Sequence, residues 1–247
     1  MENLARQEQH REMKFTIFGE RCSGTNWLGY TLVSNFELEL VWSAGFKHWF
    51  GYNGHEKIIF DNRDLIYFGI VRNPLDYLMS FYKKKHNQPK ERTCDIETFL
   101  LSEFYSVNLN KNSIDYNEEI SEGGVLVDRK HDGSRYKNIF EMRSEKCRFL
   151  LEKMPDLVSK YILIRYEDLK QEPERILNII LDSFKLSRKS KSFYVEKKYV
   201  FYKEKGVVNL SDNPCMENYK VDNRIKEIII ENLDKEVEQK MGYMSWA

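Results

Sequence analysis

Apolar positions along this chain fall into two periods. The run Phe15, Ile17, Phe18, the stretch Leu38 to Trp42 (LELVW), the stretch Leu65 to Val71 (LIYFGIV) and the stretch Tyr161 to Ile164 (YILI) read as short strands. LIYFGIV is almost unbroken in its apolar and aromatic content, the pattern of a strand buried on both faces of a parallel sheet. Between these runs the spacing becomes helical. Trp27, Leu28, Leu32 and Val33 predict a helix over Thr25 to Asn35, and Leu75, Leu78, Met79 and Tyr82 predict another after Arg72-Asn73-Pro74. Pro74 suits the first helical turn and Asn73 its cap. A short helix is expected around Ile96 to Tyr105, and a longer one over Asn138 to Leu151 with Ile139, Met142, Cys147 and Leu150 on its apolar face. Glu172-Pro173 opens a helix through Leu181, and Arg224 to Met241 reads as one amphipathic helix through Ile225, Ile228, Ile229, Leu233 and Val237. Strands alternating with helices imply an α/β fold of three layers, α/β/α, around a central parallel sheet, with ligands bound at the carboxyl ends of its strands.

Three regions escape the pattern. Residues 1–13 read as a flexible polar leader. SAGFKHWFGYNGH, from Ser43 to His55, mixes glycines, aromatics and histidines in the manner of an irregular loop of the kind that carries function. From Lys83 to Lys137 the chain turns polar, with turn signals at Gly123-Gly124 and Asp132-Gly133, and is expected to form a lid that selects the substrate.

Composition narrows the class. The 247 residues suit a single domain over 1–247, and 41% hydrophobic with 14% aromatic residues implies a globular chain. A formal net charge of +0 removes bulk attraction to nucleic acid or to an anionic membrane. Cys22, Cys94, Cys147 and Cys215 are widely separated, without zinc-site spacing. No stretch approaches the roughly 18 apolar residues of a membrane span, and the first residues lack the apolar core of a signal peptide. These features imply a cytoplasmic protein.

The chemistry concentrates after the first strand, in FTIFGERCSGTNWLGYTL. A strand that feeds a glycine-bearing loop opening into a helix is an anion-binding arrangement, because the helix start supplies backbone N–H groups and a positive dipole. Gly19 to Gly24 has the GxxxxG spacing of a P-loop, yet Thr25-Asn26 stand where a triphosphate site needs Lys and then Ser or Thr. Arg21, Ser23, Thr25 and Asn26 still equip the loop for a phosphate.

The set CSGTNW at 22–27, RNPLDYLMS at 72–80 and IRYEDL at 164–169 resembles the sulfotransferases that use 3′-phosphoadenosine 5′-phosphosulfate (PAPS), on a P-loop NTPase-like fold. The resemblance extends from Gly19 to Tyr243. It implies that Cys22, Ser23, Gly24, Thr25, Asn26 and Trp27, with Arg21, hold the 5′-phosphosulfate. It implies further that Arg72 and Ser80 hold the 3′-phosphate, that Tyr166 belongs to a family landmark, and that Lys205-Gly206 close over the donor. His48 becomes the general base, since an imidazole titrates near neutrality, with Lys47 as its electrostatic partner at the sulfuryl group and Arg21, with the loop amides, stabilising the charge that grows on the leaving phosphate. His55 with Glu56 is the alternative base. The chain departs from the family in two places: its loop cation is Arg21 where the family often has Lys at the position of Cys22, and Lys47 and His48 are adjacent where the family commonly has one residue between them. The implied reaction needs no metal and passes a sulfuryl group to a hydroxyl or amine of a small molecule or glycan, releasing the 3′,5′-bisphosphate (PAP). A small-molecule or nucleotide kinase with a degenerate P-loop, and a non-catalytic nucleotide-binding protein, are the alternatives.

Overall fold

Period-2 burial on both faces organises the sheet. The computed structural model describes residues 13–45, 47–48, 65–85, 87–107, 121–122, 125–126, 128–130, 132–195, 200–203, 206–209 and 221–243. Strands β1 (Met13–Phe18), β2 (Leu38–Leu40), β3 (Leu65–Val71) and β6 (Tyr161–Arg165) form one sheet in the order β2-β1-β3-β6, with all three pairings parallel. Two further antiparallel pairs, β4 (Ser121–Glu122) with β5 (Val125–Leu126) and β7 (Val200–Lys203) with β8 (Gly206–Asn209), lie outside it.

On β3, Ile66, Phe68 and Ile70 face one layer while Leu65, Tyr67 and Val71 face the other. The first layer is α1 (Thr25–Asn35), α6 (Tyr166–Gln171) and α7 (Pro173–Phe184), contributing Leu28, Leu32, Leu169, Leu177 and Ile180. The second is built on α4 (Ile139–Arg148), a π-helical turn over Phe149–Lys153, α5 (Met154–Leu157) and α9 (Lys235–Lys240), contributing Cys147, Leu150, Met154 and Val237. The chain is thus an α/β protein with helices on both faces of a parallel sheet. No helix among the described residues is long and apolar enough to cross a membrane.

Several element ends differ from the sequence reading. Met13, assigned there to the leader, is already in β1 and pairs with Leu38, whereas residues 1–12 lie outside the described set. α3 (Ile96–Leu101) stops short of Tyr105, because Phe104 leaves the helix to bond the carbonyl of Tyr136 at 2.9 Å. The last amphipathic segment is two helices, α8 (Asn223–Asn232) and α9. Leu233 is extended, and the Asp234 carboxylate accepts the Val237 N–H at 3.2 Å, capping a new helix start. The described part of 83–137 packs into a third apolar cluster, where Phe99, Leu100, Phe104 and Tyr136 meet Tyr77 and Phe81 of α2 (Pro74–Lys84), Ile139 and Met142 of α4, and Ile225 and Ile229 of α8.

One buried ion pair ties these layers to the strand ends. Arg143 of α4 donates Nε and Nη2 to Glu238 of α9 at 2.6 and 2.9 Å, and the same Nη2 reaches the carbonyl of Arg72 at 3.0 Å. Glu238 holds the Arg143 guanidinium above its ordinary pKa, even though burial alone pulls the other way. Removing one partner strands the other charge in the interior, so Arg143→Met should cost about 3–5 kcal/mol in urea unfolding. The double variant Arg143→Met/Glu238→Met should recover much of that loss. Equal stability of the two variants would contradict the assignment.

Candidate functional site

Parallel pairing sets the carboxyl ends of β1 and β3 side by side, with Phe18 opposite Gly69. β2 and β3 lie on opposite sides of β1, so the strand order reverses here, and a crevice at such a reversal is where open α/β sheets bind ligands. Gly19 leaves β1 flush against β3. A Cβ there would stand 2.6 Å from Ile70 Cγ2 and 2.7 Å from the Ile70 carbonyl oxygen.

The loop then doubles back. The Ser23 N–H and Oγ both donate to the Glu20 carbonyl, at 3.1 and 2.6 Å. Cys22 (φ 64°) and Gly24 (φ 100°) are left-handed, which for the cysteine costs about 1–2 kcal/mol. α1 follows at Thr25 with Gly24 as a cap that offers no side-chain acceptor, and its first turn contains no acid. Thr25, Asn26 and Trp27 therefore present a helix start with its dipole undiminished by a carboxylate, the geometry with which helices bind anions.

Arg72, the first residue beyond β3, joins the second strand end to this loop. Its buried guanidinium donates from Nη1 to the Cys22 carbonyl at 3.0 Å and stacks on the Tyr166 ring at 4.8 Å. Tyr166 also meets Trp27 edge-on, with ring centroids 5.3 Å apart. The next backbone N–H, of Asn73, donates to Glu167 Oε1 at 2.8 Å, and Tyr243 OH donates to Oε2 of the same carboxylate at 2.8 Å. Asp168 instead pairs with Arg165 at 3.7 Å. Ser80 is buried in the second turn of α2.

Lys47 and His48 reach the loop from the irregular segment. The Gly19 N–H donates to the Lys47 carbonyl at 3.1 Å, and His48 Nδ1 lies 2.6 Å from the Gly19 carbonyl oxygen. A carbonyl can only accept, so Nδ1 carries the proton and Nε2 is the basic nitrogen of the neutral ring. Burial, then the nearby cations Lys47 and Arg21, hold the His48 pKa well below the ordinary histidine value. Lys47 Nζ donates to Asn26 Oδ1 at 2.5 Å and stands 5.4 Å from the Trp42 ring.

Arg21 turns toward the 83–137 segment. Its Nη1 is 3.5 Å from Asp128 and its Nε donates to Asn87 at 3.4 Å. Beneath it Lys146 of α4, 1% exposed, donates to Glu20 Oε1 at 2.6 Å, Asp128 Oδ1 at 2.7 Å and the His48 carbonyl at 2.8 Å. Burial raises the Glu20 carboxyl above its ordinary pKa against the pull of Lys146.

The structure thus brings Arg21, Cys22, Ser23, Gly24, Thr25, Asn26, Trp27, Lys47, His48, Arg72 and Tyr166 to one edge of the sheet. Gly206 opens β8, while Lys205, His55 and Glu56 lie outside the described residues. Glu20, Asp128, Arg143 and Lys146 were missed by sequence reasoning. Lys146 carries no local signal, since its partner Glu20 is 126 positions away. Among the described residues no group of three or more His, Cys, Asp or Glu is placed to hold a metal ion. Comparison of the chain with protein-family models, curated proteins and solved structures gives no match.

Two predictions follow from this geometry. In Gly24→Ala the added Cβ meets Tyr166 Cδ2 at 2.6 Å and must adopt positive φ, so stability should fall by about 1–3 kcal/mol in thermal or urea unfolding. An unchanged midpoint would refute the strained-loop geometry. For His48, the unfolded ring titrates near the ordinary histidine value of about 6.5 while the folded ring stays neutral to lower pH. Its contribution to stability is therefore full above that value and declines as pH falls below it, by at most about 1.4 kcal/mol per pH unit. The stability difference between wild type and His48→Gln should shrink across this acid range, and a constant difference would place His48 in a solvated setting.

Proposed function

We propose that this chain is a sulfotransferase of the P-loop-like fold that moves a sulfuryl group from PAPS to a hydroxyl or amine of a small molecule or glycan. The observation that carries the reading is the 2.6 Å contact of His48 Nδ1 with the Gly19 carbonyl. In the neutral ring it puts the proton on Nδ1 and leaves Nε2 as the basic nitrogen, at the root of an anion-binding loop.

The residues present fit such a donor. The loop 22–27 and the start of α1 suit the 5′-phosphosulfate, while Arg72 and Ser80 suit the 3′-phosphate, with Trp27 and Tyr166 as an apolar wall. Lys205-Gly206 would close over the donor. When bound, PAPS supplies an activated sulfuryl group whose S–O bond to phosphate breaks as the acceptor's oxygen or nitrogen forms its own bond to sulfur. His48 Nε2 takes the proton that the acceptor gives up. Lys47 and the N–H groups at the start of α1 meet the charge left on the phosphate oxygen. Depression of the His48 pKa keeps the ring neutral, the form that can accept a proton. Thr25 occupies the place of the P-loop lysine, which weakens the kinase alternative.

The two-phosphate reading is checked by thermal shift. PAP should raise the melting temperature more than ATP with magnesium does, and Arg72→Ala should lose most of that rise. An equal or absent shift with PAP sinks the proposal. His48→Ala should keep the PAP shift yet lose transfer by about 10²–10⁴-fold, whereas a fully active variant removes His48 from the mechanism. Donor binding without transfer to a broad acceptor panel would favour the non-catalytic alternative.

A further inference from the structure

The ammonium of Lys146 is built into the support of the anion-binding edge, bonded to the Glu20 carboxylate and the backbone of His48. It is 1% exposed and sits at the meeting point of three chain segments. From α4 it donates to Glu20, the residue after the carbonyl that orients His48; to the carbonyl of His48 itself; and to Asp128, which also pairs with Arg21. Residues 19 and 47–48 are already joined by two direct bonds, the Gly19 N–H to the Lys47 carbonyl and His48 Nδ1–H to the Gly19 carbonyl. Lys146 spans the outside of that bracket, gripping the side chain of the residue that follows Gly19 and the backbone of His48.

We propose that Lys146 is a positioning residue for the base: by holding Glu20 and the His48 carbonyl together it keeps the imidazole on the Gly19 carbonyl and so keeps Nε2 as the proton acceptor. Asp128 extends the same cluster into the 83–137 segment, so the orientation of the base and the seating of that segment share one buried cation. Lysine suits the place. Its compact ammonium has three donors to divide among three acceptors that arrive from different directions, whereas the planar fork of arginine favours two acceptors in one plane.

The inference about catalysis rests on the proposed sulfuryl transfer, but the orientation of the ring does not, and two readouts separate them. The first is the tautomer of His48, read from imidazole nitrogen shifts in ¹⁵N-labelled protein at pH 7.5 and assigned by comparison with His48→Gln. Wild type should show Nδ1–H. Lys146→Met should show a mixture containing the Nε2–H form. Because this variant leaves Glu20 and Asp128 without their ammonium, Lys146→Met/Asp128→Asn is measured beside it as a variant with a smaller charge imbalance. The second readout is kinetic. In folded Lys146→Met kcat should fall about a hundredfold, the scale of a misplaced catalytic group, while its PAP thermal shift stays within a degree of wild type. An unchanged Nδ1–H tautomer in either folded variant overturns the proposal, as does equal loss of PAP binding and turnover. Failure of both variants to fold also overturns it, in favour of a purely structural role. If wild type neither binds PAP nor transfers sulfuryl, the functional reading falls while the tautomer comparison still decides the role of Lys146.

Discussion

Parallel pairing of β1 with β3, from Lys14 opposite Leu65 to Phe18 opposite Gly69, is the contact on which the site depends. Two parallel strands end at the same edge, so the turn after each must share one crevice. The loop that opens at Gly19 and Arg72 therefore meet, through the Cys22 carbonyl, although they lie far apart in sequence. The close approach is steric as much as hydrogen-bonded, because Ile70 occupies the space that a side chain at residue 19 would need. The pairing also explains why the loop has its particular shape. With Gly19 held against β3 and α1 packed on one face of the sheet through Leu28 and Leu32, the intervening residues must reverse sharply, and Cys22 and Gly24 do so with positive φ.

Around that edge the interior is unusually rich in cations. Arg21, Arg72, Arg143 and Lys146 are all buried, and Glu238, Glu20 and Asp128 are buried with them. Buried ion pairs contribute little net stability, since desolvation consumes most of the attraction. They do restrict geometry, because each charge has few places where it can be satisfied. Arg143 fixes the Arg72 carbonyl and Lys146 fixes the His48 carbonyl, so both turns that reach the loop are held from α4. Arg92 offers a contrast. Its guanidinium is held by Gln88, Ser102 Oγ and the Phe99 carbonyl and lies over the rings of Phe99 and Phe104; burial draws its pKa down to about 10, which leaves it charged at neutral pH. It organises the 83–107 region internally and takes no part in the edge.

The strands and most helix starts were legible because their signals are local. LIYFGIV is buried along its whole length, Asn73 caps α2, and Pro74 stands at its start. Helix ends were less so: the end of α3 follows from the pairing of Phe104 with distant Tyr136, and the break between α8 and α9 follows from the local cap at Asp234, whose carboxylate also holds Ser144 and Arg148 of α4. The glycine loop was read as an anion site from its spacing, and Arg72 as a phosphate ligand from the family resemblance. What joins them was not. The contacts of His48 with Gly19, Arg72 with Cys22 and Lys146 with three segments each connect residues far apart in the chain, and no periodicity encodes such a meeting. The 83–137 segment was read as a lid from its polarity, yet four of its apolar residues, Phe99, Leu100, Phe104 and Tyr136, pack its described part on α2, α4 and α8.

The one-residue offset of the loop cation has a structural counterpart. A cation at position 22 would sit where the left-handed backbone turns and where Cys22 packs beside the apolar cluster of α2 and α3. Position 21 faces the other way, into the cluster with Asp128, Lys146 and Glu20. At 3.5 Å Asp128 offsets much of the charge that Arg21 would otherwise project onto the loop. Lys47 is bonded to the neutral amide of Asn26, which itself stands in the first turn of α1. Moving an ammonium from an amide to an anion gains more than moving a guanidinium away from a buried carboxylate. On the sulfotransferase reading, the geometry therefore favours Lys47 over Arg21 as the cation that meets the charge left on the phosphate oxygen, with Arg21 serving to seat the described part of the 83–137 segment against the loop.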